Sequence, residues 1–377
     1  MSVQRRVLDR RLIIGASAIG ASLVVGAAVL TPMAASGAVD LPDKTVEELI
    51  EFAGASDVDA FSGTIEQTSE LGLPDLGALT GPMGDSGDGS DAADIDDLVA
   101  LVTGSHTAKI YVDGDRSRLQ VLDQLAERNV YVDGATEEVW FVDSESQTAT
   151  RLTMTGHSEP GTPDPDALAP NPDDMLDTAL ARLDETTEVT VGTDARVAGR
   201  EVYELILEPR TADTLIGQVR FAIDGQNGAA LAMSITARGA QAPAFELAFT
   251  DVDFSAPDPA VFAFEPGAGM TVAEKDLAPP DGTEHGGDGT TPAATPVVIG
   301  EGWSTVVEMQ AAPAGEQGAL TDLAPEQLAM LESVTTEVDG GRALQTSLMS
   351  VLITDDGRVL AGSVPTSRLV EAAQTGR

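Results

Sequence analysis

Strict alternation of apolar and polar residues, broken by short Gly-containing turns, dominates the middle of this chain. In "VRFAIDGQNGAALAMSITARG", Val219, Phe221 and Ile223 alternate with Arg220, Ala222 and Asp224. Past the turn, Leu231, Met233 and Ile235 alternate with Ala232, Ser234 and Thr236. A period of two on both sides of a Gly-rich pair predicts a β-hairpin. The tetrapeptide "YVDG" gives the same signal twice, at Tyr111–Gly114 and Tyr131–Gly134, and "LITDDGRVLAG" gives it again. In each, "DG" falls where a hairpin needs residues that tolerate positive φ. No nucleophile or base repeats with the tetrapeptide, so its return predicts a recurring turn and not a duplicated site.

Around these hairpins the periodicity predicts further strands and a few helices. Thr45 and Glu48 have the spacing of a capping box, and Val46, Leu49, Ile50 and Ala53 follow at helical intervals. "FSGTIEQTSE" reads as a strand with Phe61, Gly63 and Ile65 on one face. From Lys109 to Met154 strands follow one another closely. Asn171 can cap a helix with Pro172 in its first turn and Leu176, Ala179, Leu180 and Leu183 as its apolar stripe. In "PAFELAFTDVDF", Phe245, Leu247 and Phe249 share a face while Val252 and Phe254 fall on the other, which predicts a bulge near Thr250. Residues 71–102 are apolar and acidic without a period, ending in a short helical pattern of Ile95, Leu98, Val99 and Val102.

These patterns divide the chain into a leader over 1–38, a main domain over 39–275, a Pro/Gly/Thr linker over 276–296 and a small α+β domain over 297–377. The last begins with the strand "VVIGEGWSTVVEM", continues through a helix carrying Leu328 and Leu331, and closes on the "DDG" hairpin. It either folds as a domain or docks on the main sheet. In the leader, Arg5, Arg6, Arg10 and Arg11 precede an apolar run over 12–30 and the small residues "MAASGA". That is the layout of a secretory signal cleaved after Ala38, or of an uncleaved anchor in the cytoplasmic membrane with its arginines inside. Either reading places the remainder in an extracytoplasmic, secreted or periplasm-like setting. The arginine pairs are a faint twin-arginine signal.

Charge and composition narrow the function. With 21 basic against 62 acidic residues the chain carries a net charge of −41. Such a surface repels phosphate backbones, which excludes nucleic acid as a partner. There is no cysteine, hence no disulfide, no thiolate catalysis, no Cys-based zinc site and no lipid-modified cysteine.

Candidate chemistry is sparse. "GDSG" at Gly84–Gly87 matches the surroundings of a trypsin-like serine nucleophile, but that family needs its histidine upstream, and His106, His157 and His285 all lie downstream. The acidic run beginning at Asp85 places glycine at the third and fifth positions, where an EF-hand loop needs oxygen ligands. No histidine has a second one at ligand spacing, and no phosphate loop, dinucleotide fingerprint or nucleophile elbow is present outside the leader. The sequence therefore predicts neither an enzyme nor a metal or cofactor. Trp140 and Phe141, between Val139 and Val142, are apolar on both strand faces, as core packing or an apolar-lined cleft would require.

The stretches "FSGTIEQTS", "EEVWFVDSESQTATRL", "VAGREVYELILEPR" and "PAFELAFTDVDFSAPDPAVFAFEPGAG" resemble the extracytoplasmic LolA/LppX/RseB superfamily of bacterial lipoprotein carriers and lipid-binding proteins over roughly residues 41–273. The resemblance implies an α+β fold: a curved, incomplete antiparallel β-barrel, or half-barrel, with helices plugging its concave side. It implies an apolar cleft that holds the acyl chains of lipids or lipoproteins without covalent chemistry. The alternative it implies is an RseB-like regulator that docks on a membrane-bound signalling partner of the anti-sigma-factor type. Leu71, Leu73, Leu76, Met83, Ile95, Leu98 and Val102 are the candidate lid of such a cleft, and Trp140 a candidate lining residue.

Overall fold

In a computed structural model, the described residues are 39, 41–72, 105–122, 127–136, 138–154, 171–277, 297–310 and 334–375. The leader, the "GDSG" and acidic stretch, His157, His285 and the helix expected at Leu328 and Leu331 lie outside them. No helix among the described residues is long and apolar enough to cross a membrane.

The chain opens with helix α1 (Val46–Gly54), whose Thr45 cap forms the expected reciprocal box: Glu48 N–H donates to Thr45 Oγ1 at 3.2 Å and Thr45 N–H to Glu48 Oε2 at 2.8 Å. The strands β1 (Ala60–Ser69), β2 (His106–Asp113), β3 (Arg116–Leu122), β4 (Glu127–Asp133), β5 (Glu138–Asp143) and β6 (Thr148–Met154) follow. Helix α2 (Pro172–Ala181) separates them from β7 (Thr187–Val191), β8 (Ala195–Val197), β9 (Arg200–Pro209), β10 (Ile216–Asp224), β11 (Ala230–Ala237), β12 (Pro243–Asp253) and β13 (Thr271–Leu277). Asn171 caps α2 as the sequence predicts, its Oδ1 accepting from Asp173 N–H and Asp174 N–H at 2.9 and 3.1 Å.

Among the described residues these strands form one 13-stranded sheet in the order β13-β6-β5-β4-β3-β2-β1-β12-β11-β10-β9-β7, with β8 also on β9. The sheet is not closed into a barrel. It is mixed, where the sequence led to an antiparallel expectation, because β13 pairs parallel to β6. The reason is the path of the chain. After β12 it crosses one face of the sheet, through a 3₁₀ turn at Pro259–Phe262 and Phe264, and so meets β6 from the same direction. β13 also runs two residues into the stretch assigned to the linker.

The bulge expected near Thr250 is present. Thr64 pairs with Asp251 and Ile65 with Phe249, leaving Thr250 unmatched, its hydroxyl 3.3 Å from the Thr64 carbonyl. This extra residue brings Val252 onto the face that holds Leu247 and Phe249, where it packs with Ile65. The two "YVDG" turns differ from each other. Gly114 takes φ +62°, as a hairpin glycine should, but Gly134 has no positive φ. A Cβ at Gly134 would lie 2.9 Å from Asp115 Cβ, and its N–H donates to the Asp115 carbonyl at 2.8 Å. The second glycine is thus required by the close approach of a neighbouring turn.

Register places Leu205, Phe221, Met233 and Leu247 in one cross-strand row. The first three, with Leu207, Val219 and Ile223, face Leu49 and Ala53 of α1 and Leu176 of α2, forming the main core, while Leu247 packs with Ile65 and Phe249 in the adjoining cluster. The opposite face is more polar. There, Glu246 on β12 and Glu66 on β1 lie on one face of paired strands, since Glu66 is in register with Ala248. Burial, and then the Glu66 carboxylate, push the Glu246 carboxyl up to about 7. Because the folded state holds its proton where the unfolded chain has released it, this contribution is intact at acid pH and is lost as pH rises toward 7. Glu246→Gln should therefore stabilise the protein by about 1 kcal/mol at pH 8, a figure reduced for partial exposure, and by less at pH 5. Equal melting-temperature shifts at both pH values would refute the assignment.

The C-terminal unit has its own sheet, of β14 (Val297–Ile299), β15 (Val306–Gln310), β16 (Thr336–Val338), β17 (Gly341–Gln345), β18 (Ser350–Thr354) and β19 (Arg358–Gly362), in the order β14-β15-β19-β18-β17-β16. Helix α3 (Thr366–Thr375), absent from the sequence expectations, packs Leu369, Ala372 and Ala373 against Val306, Leu352 and Leu360. The unit does both things the sequence left open: it has a core of its own and it docks on the main sheet. Ser363 O accepts from Leu215 N–H at 2.8 Å and Thr214 Oγ1 at 2.7 Å, Ser347 N–H donates to Leu71 O at 2.8 Å, and Leu348 enters the main core.

Candidate functional site

Where the docked unit meets the main sheet, a cleft of about 780 Å³ remains open. Its floor is the apolar row of the sheet: Leu207, Val219, Phe221 and Met233, all buried. One wall is α2, through Met175, Ala179 and, just past the helix, Leu183. The amphipathic stripe that docks α2 on the sheet thus also lines the opening beside it. The other wall is Gly302 and Trp303 of the C-terminal unit. The Trp303 indole N–H donates to Thr187 Oγ1 at 2.8 Å, which fixes the ring against β7. Gly302 takes φ +54°, and a Cβ there would lie 2.8 Å from Thr186 Oγ1, so the close docking of this wall needs glycine.

The rim is polar. Asp174, Asp177, Thr178, Arg182 and Asp184 surround the apolar interior. Hydrogen bonds from the Thr186 hydroxyl, then from its amide, hold the Asp184 carboxyl below the usual range. Beneath the helix, burial pushes Asp173 up, opposed by the Ala230 N–H that donates to it at 2.8 Å. Volume and lining match the general pattern of ligand sites: roughly 300–1,000 Å³, mostly apolar, with a few polar groups at fixed places. Among the described residues no group of side chains is arranged to hold a metal ion.

Of the residues expected from sequence, Leu71 and Trp140 are among the described residues. Leu73, Leu76, Met83, Ile95, Leu98 and Val102 are outside the described residues. Leu71 is half-buried against the main core, next to Ser347, and does not line the cleft. Trp140 is on the opposite face of the sheet, since its register neighbours are Tyr131 and Arg151 while Phe141 shares the face of Val130 and Leu119. There it meets Phe264 edge-on at 5.3 Å, and Phe264 stacks on Tyr131 at 5.2 Å. Trp140 is thus covered by the crossing segment. The sequence pattern marks the α2 stripe and the alternation of β10 and β11, but nothing in it marks an opening between them. Nor does it mark Trp303, for which "EGWST" offers only a tryptophan beside a glycine.

The chain is similar to solved structures of MucB and of LolA superfamily proteins. With the complex of Pseudomonas aeruginosa MucA and MucB it shares 16% identity over 87% of this chain and 96% of that one, at a TM-score of 0.41. With a LolA superfamily protein from Nitrosomonas europaea it shares 10% identity over 59% of this chain and 99% of that one, at a TM-score of 0.23. A putative outer membrane lipoprotein-sorting protein domain from Vibrio parahaemolyticus gives 10% identity over 58% and 95%, at 0.23. No family model matches the chain, and no curated protein does.

Proposed function

We propose that this protein is an extracytoplasmic carrier or binding protein that holds the acyl chains of a lipid or lipoprotein in the cleft between α2, the main sheet and Trp303. The observation that carries the reading is the open apolar floor of Leu207, Val219, Phe221 and Met233 beside α2. An acyl chain laid on it gains roughly 0.8 kcal/mol for each CH₂ removed from water. No covalent step is needed: reversible burial is sufficient for carriage. A polar rim around an apolar trough suits a ligand with one greasy end and one wet end.

The test is native mass spectrometry of protein secreted by a bacterium and purified without detergent, compared with Ala179→Trp. Ala179 lies on the cleft wall at the edge of the core and is only partly buried, so the larger side chain has the opening to occupy. The native protein is expected to carry an added mass in the range of one lipid or acylated peptide. The variant is expected to carry none while keeping its melting temperature within a few degrees. Bound lipid at equal occupancy in both proteins would place it outside this cleft.

A second reading is a regulatory protein that docks on a membrane signalling partner through residues 297–377. It draws on the exposed apolar side chains of Val297, Val298, Met309 and Met349, all in the C-terminal unit. An apo mass that stays clean after incubation with lipid vesicles would favour this reading over the carrier.

A further inference from the structure

The charges at the rim of the cleft are arranged unusually for so acidic a chain. Arg182 is an exposed guanidinium that makes no ion pair or side-chain hydrogen bond among the described residues. Its backbone N–H closes α2 on Ala179 and Leu180, so the side chain is held at the helix end beside the cleft. Asp177, also on the rim and exposed, likewise has no hydrogen-bond or ion-pair partner among the described residues. The two do not pair with each other. Five positions on a helix are turned about 140° apart, outside the three- and four-residue spacings at which helical side chains meet. Both flank the same apolar trough.

The other rim carboxylates are already occupied locally. Asp174 takes a hydrogen bond from the Asn171 side chain, and Asp184 accepts from Thr186 N–H at 2.8 Å and from its hydroxyl. The rim thus offers one uncommitted cation and one uncommitted anion above a floor built for a hydrocarbon tail. A purely anionic head group would satisfy Arg182 but meet three carboxylates. A purely cationic one would satisfy Asp177 and confront an unpaired guanidinium.

Resting on the acyl-binding reading above, we infer that the cleft selects a zwitterionic amphiphile, one whose head carries a phosphate next to an amine. The guanidinium of Arg182 donates to the phosphate oxygens, in the forked geometry that suits it, and the Asp177 carboxylate accepts from the ammonium. The tail lies along Val219, Phe221 and Met233.

Four probes with the same dodecanoyl or dodecyl tail, each kept below its micelle concentration, separate the head-group inference from the cleft itself. They are a lysophosphatidylethanolamine, a lysophosphatidylglycerol, an alkyltrimethylammonium and an uncharged monoacylglycerol, titrated into the full protein by calorimetry. The lysophosphatidylethanolamine is expected to bind at least tenfold tighter than the monoacylglycerol. On Arg182→Gln and on Asp177→Asn, its Kd should rise to that of the monoacylglycerol measured on the same variant. Both side chains are exposed, so neither substitution threatens folding. Equal affinity for all four probes would leave the acyl cleft standing and overturn the head-group inference. Tighter binding of the purely anionic or purely cationic probe would overturn it as well. Binding of none would remove the cleft reading and the inference together.

Discussion

Phe221→Ala should cost about 3–5 kcal/mol of stability, the range for deleting a fully buried aromatic ring. The ring is 1% exposed, in the middle of β10, and in register with Leu205 on one side and Met233 on the other. It packs in the core under α1 and α2, and it also forms the floor of the cleft. Neighbouring strands are fixed by their ladders, so the space left behind has little means of closing. The expected result in denaturant is a lower midpoint with an unchanged slope, because the surface exposed on unfolding scarcely changes. A loss below about 1 kcal/mol would mean that the floor collapses onto the vacated volume, and that the cleft is not supported by its own sheet.

Arg200→Met should be comparably damaging, by a different mechanism. The Asp224 carboxylate is 0% exposed, at the end of β10, and both its oxygens are engaged by Arg200, with Nη2 to Oδ1 at 3.0 Å and a second bond from Nε to Oδ2. Asp224 Oδ1 also accepts from Gln226 N–H at 2.9 Å and Asn227 N–H at 3.1 Å, which shapes the "DGQNG" turn. Removing the cation strands a buried negative charge, a loss of about 3–5 kcal/mol. Adding Asp224→Asn, which keeps an acceptor for the turn but removes the charge, should restore much of that loss. A double variant no more stable than Arg200→Met alone would shift the explanation to lost packing of the guanidinium on Phe254, 4.9 Å from its ring centre.

Much of the local structure was legible in the sequence because it is written in local chemistry. The Thr45 box, the Asn171 cap and the Thr250 bulge each depend on residues within a few positions of one another. The α3 helix was not legible, since "TSRLVEAAQT" is short and two of its three buried residues are alanines. The parallel pairing of β13 with β6 was invisible for another reason: it is decided by where the crossing segment lies, not by any pattern in "TVAEKDL". The cleft combines both cases. Its floor and its α2 wall are periodic and were read correctly as apolar faces, yet nothing local marks a face that stays partly uncovered. Trp303 reaches the site from more than a hundred residues past Thr187, a contact that only docking creates. Trp140 was singled out for being flanked by apolar residues, but its ring is met by Phe264, while Val139 on the other face of β5 is buried.

The docking of the C-terminal unit has a consequence for affinity. Among the described residues its polar attachments to the main sheet and its flanks are few: Trp303 on Thr187, Ser363 on Thr214 and Leu215, and Ser347 on Leu71 and Glu70. Between separate molecules so small a set would hold poorly. Here the partners belong to one chain, and a tether places each at an effective concentration in the millimolar range, so an intrinsic attraction of about 4 kcal/mol is enough to make docking and undocking equally populated. Each further 1.4 kcal/mol of contact shifts that balance tenfold. A molecule lying between Trp303 and the sheet touches both partners, so a change that weakens their docking is expected to raise its dissociation constant as well.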